Sequence, residues 1–112
     1  MAQRTVRIDG IRITDWPTFH TAFAEAFGFP DFYGRNMDAW IDCLTCLDDP
    51  DAGMTKIQVN GGGVLSLVIE NAKDFKLRCP EQFAALVECA AFVNWRRIEQ
   101  GDSAVLALAF YA

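Results

Sequence analysis

The chain has a single histidine, two tyrosines and four prolines in 112 residues, and its longest wholly apolar run, Ala104 to Ala112, is nine residues long. A bilayer span needs about 20 such residues, so no membrane-crossing helix is expected and a membrane is not an expected partner. No basic stretch leads into an apolar one after Met1, which argues against a signal peptide. The lone histidine, His20, has no second histidine to share a metal or a proton with, and it reads as a surface or edge residue. Bases are scarce in one place. From Asp31 to Asp51 there are six aspartates (Asp31, Asp38, Asp42, Asp48, Asp49, Asp51) and one base, Arg35. The rest of the chain balances nine acids with nine bases, so the whole net charge of −5 sits in that stretch. A phosphate backbone is repelled by such a patch, which excludes nucleic acid as the expected partner. A basic protein surface is attracted and steered by it.

The apolar content is ample. With 52% apolar residues, nine Phe and three Trp, the chain can fill a core without disulfides or metals, and disorder is excluded. The length suits one domain, residues 1–112. The four cysteines (Cys43, Cys46, Cys79, Cys89), without an export signal, read as reduced thiols of a cytoplasmic protein. Cys43 and Cys46 form a C-x-x-C. Nine residues separate Cys79 from Cys89, however, and the first pair lies within a helical pattern rather than at a helix start after a strand. Buried small hydrophobes are the better reading, with a thiol or metal protein as the alternative; no cofactor and no metal are expected.

Along the chain, Val6 and Ile8 alternate with polar residues as in a half-buried strand, and Ile11 and Ile13 could extend it. Thr14 or Asp15 caps a helix with Pro17 in its first turn; Trp16, Phe19, Phe23, Ala26 and Phe27 form its apolar face, and Gly28 ends it. A connector rich in aromatics follows, and Asn36 caps a second helix to about Leu47 with Met37, Trp40, Ile41, Leu44 and Leu47 inward. Asp38, Asp42, Thr45 and Asp49 project together from another face, since residues three or four apart are helix neighbours. Asp38 gains from the helix dipole, but Asp42, Asp48 and Asp49 run against it, and that cost asks for a functional reason. Thr55–Val59 reads as a strand, Asn60–Gly63 as a turn, and Val64–Ile69 as a buried strand. Residues 72–78 read as an irregular or helical connection. Pro80 starts a third long helix to about Glu99, with Phe83, Leu86, Val87 and Ala90 inward and Trp95 expected in the core. Ala104–Tyr111 reads as a central parallel strand. The expected class is α/β, strands separated by helices in a small layered structure.

The stretch Phe32-Tyr33-Gly34-Arg35-Asn36-Met37-Asp38-Ala39-Trp40-Ile41-Asp42-Cys43-Leu44-Thr45, preceded by Phe29-Pro30-Asp31, closely resembles the signature of barstar-like proteins, intracellular inhibitors of guanyl-specific ribonucleases. The resemblance implies a three-stranded parallel sheet packed by helices, with an extra strand or hairpin around residues 54–69, since Ala52–Gly63 is longer than the family's loop. It also implies a binding protein with no chemistry of its own: the second helix and the preceding loop block a basic active site, as in toxin immunity. Asp42 matches the principal anchor carboxylate and Asp38 the second aspartate. The implied contact set is Phe32, Tyr33, Gly34, Asn36, Asp38, Asp42, Thr45, Cys46 and Asp49, and the implied partner is a basic ribonuclease or related toxin, met by a monomer. Departures stand beside the match. Phe32 lacks the family tyrosine's hydroxyl, Arg35 replaces an acid, Ile41 and Leu47 replace tryptophans, and Arg96 corresponds to a contact glutamate. A different basic partner using the same acidic helix is the alternative. The spacing of Asp38 and Asp42 on a convex face argues against an acid–base hydrolase.

Overall fold

The computed structural model describes residues 4–112. In chain order the elements are β1 (Arg4–Asp9), α1 (Trp16–Phe27), α2 (Met37–Thr45), β2 (Leu65–Glu70), α3 (Ala72–Arg78), α4 (Pro80–Glu99) and β3 (Leu106–Phe110), with 3-10 turns at Gly10–Arg12 and Pro50–Ala52. The three strands form a parallel sheet in the order β1-β2-β3. The α/β class and the parallel three-stranded sheet match the reading from sequence.

β2 is the central strand. Its consecutive residues Leu67, Val68 and Ile69 are all buried, as expected when both sheet faces are covered. Val6 pairs with Leu67 and Leu67 with Leu108; one pleat further on, Ile8 pairs with Ile69 and Ile69 with Phe110. Phe19, Phe23, Phe27, Trp40, Leu44 and Leu47 are fully enclosed in the same core. β3 therefore lies at an edge, not at the centre. A run of apolar residues cannot distinguish a central strand from an edge strand covered by a helix, and here Asn94 of α4 holds the start of β3. Its Oδ1 accepts from Val105 and Leu106 N–H at 2.9 and 3.0 Å, and its Nδ2 donates to Leu106 O at 2.9 Å.

Local chemistry sets the element ends. Asp15 caps α1 with a reciprocal Asp15–Thr18 capping box, and Pro17 sits in the first turn, where its missing N–H costs nothing. Gly28 closes α1 at φ +70, a conformation that L side chains resist. Gly10 is needed for a different reason: a Cβ there would lie 2.8 Å from both Glu70 O and the Phe75 Cβ, where the chain leaves β1 beneath α3. That exit is a 3-10 turn rather than a continued strand, leaving Ile13 buried and Ile11 exposed.

The expected extra strand or hairpin around 54–69 does not form. Residues 53–64 are irregular, with a turn at Asn60–Gly63 leading directly into β2. The N–H groups that a strand would offer to a neighbour go elsewhere. Lys56 and Ile57 donate to Phe27 O at the end of α1 (2.9 and 3.3 Å), and Val59 donates to Leu47 O at 3.0 Å. The Thr55 hydroxyl donates to Ile57 O within the same segment. Carbonyls left open at helix ends thus take the hydrogen bonds that a sheet would have used. Two residues of α4 also depart from expectation: Val87 is exposed, and Trp95 is 56% exposed because it falls off the Gln82–Leu86–Ala90–Val93–Arg97 stripe that faces the core.

Candidate protein-binding face

The loop before α2 is held from below. Tyr33 is buried, packs against Phe29 with ring centroids 4.6 Å apart, and places its hydroxyl 2.6 Å from His20 Nδ1. His20 is therefore not a surface residue; it is buried in α1, stacked on Trp16, and is the loop's anchor point. Burial, then the nearby Arg35 charge, lowers the His20 pKa and keeps the ring neutral. Burial likewise raises the Tyr33 phenol far above its ordinary value, so it stays protonated as a hydrogen-bonding group.

Arg35 has φ +54, an unusual conformation for a residue with a side chain. Its guanidinium holds the turn in place: Nη2 donates to Pro17 O at 2.8 Å and to Thr21 Oγ1 at 2.9 Å, both on α1. A cleft of about 280 Å³, lined by Trp16, His20, Arg35, Asn36 and Met37, opens between these elements. Asn36 then caps α2, its Oδ1 accepting from Ala39 N–H at 2.8 Å, while its Nδ2 donates to Gly34 O at 3.3 Å.

From this base α2 turns Trp40, Ile41, Cys43 and Leu44 into the core, and leaves Asp38 and Asp42 exposed one turn apart. Phe32 (75% exposed), Gly34 and Asn36 reach solvent on the loop. Thr45 and Cys46 are half-buried at the far end of α2, and the Thr45 hydroxyl already donates to Ile41 O at 2.6 Å. The exposed Asp49 caps the following 3-10 turn, accepting from Asp51 N–H at 3.2 Å. Of the implied contact set, Phe32, Gly34, Asn36, Asp38, Asp42 and Asp49 are exposed, Thr45 and Cys46 are half-buried, and the Tyr33 ring is turned inward. α2 also ends at Thr45, with Cys46 as its cap, rather than at Leu47.

Two arginines on α4 reach the acids of this region, and their settings differ. Arg97 is buried. Its guanidinium makes a fork onto both oxygens of Asp48 (3.0 and 2.7 Å) and also donates to Thr45 O and Ser103 O, each at 2.7 Å. Those bonds pull the Asp48 pKa below its usual range, and they explain Asp48 as a structural residue. Arg96 lies on the solvent side, its Nη1 2.7 Å from Asp42 Oδ1. The Asp42 carboxylate is therefore paired within the free chain. The two residues before Arg97 in sequence, Trp95 and Arg96, are the parts of this surface that the periodicity misjudged or left open; register on the helix wheel was the available signal.

Three of the thiols are held above their ordinary range. Burial, with Asp42 and Cys46 adding, pushes the Cys43 thiol up to about 11. Cys46 and Cys89 are also raised, first by burial and then by nearby carboxylates (Asp49 for Cys46, Glu88 for Cys89). A protonated thiol is a poor nucleophile and a poor metal ligand.

These features define a small α/β fold whose second helix leaves Asp38 and Asp42 exposed. The family model described as Barstar (barnase inhibitor) matches residues 3–108, and the chain belongs to the barstar family. It is also 43% identical over 42 residues to a Bacillus subtilis (strain 168) protein named "Putative ribonuclease inhibitor YrdF", a stretch covering 38% of this chain and 46% of that protein. The match therefore spans less than half the length of that relative.

Proposed function

We infer that the chain is a protein inhibitor of a ribonuclease, acting by occupation of a basic active site with α2 and the loop before it. The observation that carries this reading is the pair of exposed carboxylates, Asp38 and Asp42, on a helix whose other side is locked into the core. Family membership and the relative's name support it. An enzyme that binds RNA phosphate presents Arg, Lys or His to an anion, and a carboxylate on a rigid helix can take the phosphate's place through short charge-assisted hydrogen bonds. Preorganisation matters as much as charge. The Asn36 cap, the Arg35 anchor and the His20–Tyr33 bond order the loop before any partner arrives, so less entropy is lost on binding. Phe32, Gly34, Asn36, Thr45, Cys46 and Asp49 would border the two anchors, with Tyr33 supporting the loop from beneath. The chain performs no chemistry in this role, and a monomer guarding the cytoplasm against a toxic nuclease is the setting that fits it. No helix among the described residues is long and apolar enough to cross a membrane.

The test is inhibition of barnase and of a panel of basic microbial ribonucleases by wild type and by the Asp38→Ala/Asp42→Ala double variant, both checked for folding by circular dichroism. A hot-spot carboxylate contributes about 2 kcal/mol or more, so loss of both is expected to weaken inhibition by roughly 10³-fold. Equal inhibition by the folded double variant would refute the acidic-helix mechanism. A second reading, a non-nuclease basic partner met by the same helix, predicts a basic protein retained by wild type alone in a low-salt pull-down while every ribonuclease stays active.

A further inference from the structure

We propose that Arg96 sets which partner this chain accepts, by holding the Asp42 carboxylate in the free protein and placing a positive charge beside it. The inference rests on α2 being the partner-binding face. Arg96 Nη1 and Asp42 Oδ1 are 2.7 Å apart, and both side chains remain substantially exposed, at 39% and 55%. An ion pair this open is weak enough to separate, yet a basic group approaching Asp42 must compete with a guanidinium already in place. It must also come close to that guanidinium's charge.

Comparison with the neighbouring arginine shows that Arg96 is not carrying the fold. Arg97 is buried and joins α4 to Asp48, Thr45 and Ser103, whereas the side-chain contact made by Arg96 is to Asp42. Phe92, one turn earlier on the same side of α4, is half-exposed, so Arg96 stands on open surface continuous with the acidic face. A ribonuclease surface that is basic throughout is penalised by this arrangement. A surface that sets an acidic side chain opposite Arg96, next to the basic group opposite Asp42, satisfies both members of the pair. Arg96 thereby narrows a generic attraction for cations to an alternating charge pattern.

The experiment titrates barnase activity with wild type, Arg96→Gln, Arg96→Lys and Asp42→Asn, each confirmed folded by circular dichroism and urea midpoint. Glutamine keeps most of the side-chain stem while removing the charge. The expected result is that Arg96→Gln inhibits about tenfold more tightly at low salt and only about twofold more tightly in high salt, with Arg96→Lys close to wild type. If Arg96 only stabilises the end of α2, Arg96→Gln lowers the urea midpoint and leaves inhibition equal or weaker. That result, with Asp42→Asn still losing inhibition, overturns the proposal and leaves the acidic-helix reading standing. Undiminished inhibition by Asp42→Asn overturns the acidic-helix reading and this proposal with it; the enzyme titrated is barnase or, where wild type leaves barnase active, the panel member that wild type inhibits most tightly.

Discussion

His20 shows how one buried side chain ties stability to pH. Its ring sits under the site loop with Nδ1 2.6 Å from the Tyr33 hydroxyl, and its folded-state pKa lies below the ordinary value of 6.5, chiefly through burial and then through Arg35. The unfolded chain therefore takes up a proton first as pH falls. The stability that the neutral ring contributes is intact above its unfolded pKa and is lost as pH falls from there through the folded value. The urea midpoint of wild type is expected to drop as pH falls below about 6.5, and His20→Gln is expected to flatten that drop. An unchanged slope in the variant would place the responsible proton elsewhere. Asp9 and Asp48 act in a separate window. Their pKa values are lowered from 3.8, chiefly by hydrogen bonds from Asn71 and Arg97, so their contribution is present above that value and disappears only in stronger acid.

α4 reaches α2 and the turn that follows it through two ion pairs of very different weight. Removing Arg97 leaves Asp48, 22% exposed, without its partner and also frees two carbonyls, so Arg97→Ala is expected to cost about 3 kcal/mol. Arg96→Ala breaks an open pair and is expected to cost at most about 1 kcal/mol. Urea denaturation of both variants, with unchanged m-values, checks the contrast. Neither pairing is legible in the sequence, because adjacent arginines on an exposed helix end read alike and only the fold brings Asp42 of α2 and Asp48 of the following turn across to them. What was legible had local causes. A cap at Thr14 or Asp15, the Asn36 cap and the span Pro80–Glu99 follow from capping chemistry and apolar period; the structure chooses Asp15 for the first, and the other two stand where expected. The loop and helix from Phe32 to Thr45 could be marked as one face because the residues are contiguous in the chain. The alternation of Thr55–Val59 satisfies a strand pattern, while its hydrogen-bond partners, Phe27 and Leu47, lie at the end of α1 and just past the end of α2. Tyr33 was placed on the contact surface because nothing adjacent in sequence indicates that His20 lies beneath it.

The molecule as a whole carries −5, and although Arg96 and Arg97 pair with two of the aspartates between Asp31 and Asp51, the net charge acts before contact. Association with a basic ribonuclease is expected to slow at least about tenfold between roughly 20 mM and roughly 0.5 M salt, with dissociation changing less. Stopped-flow mixing would detect it, and salt-independent association would argue that the charge excess plays no part in recognition. The parallel sheet has a consequence of another kind, for the order of events during synthesis. Arg4 to Asp9 pair with Leu65 to Glu70, so the first strand leaves the ribosome well before its neighbour exists. At about 5–20 residues per second, that delay of about 60 residues lasts roughly 3–12 s. Phe23 and Trp40, whose rings lie 5.6 Å apart, are both available during this interval. Trp40 can thus meet Phe23 of α1 while β2 and α4, the helix on which α2 chiefly packs, are still untranslated.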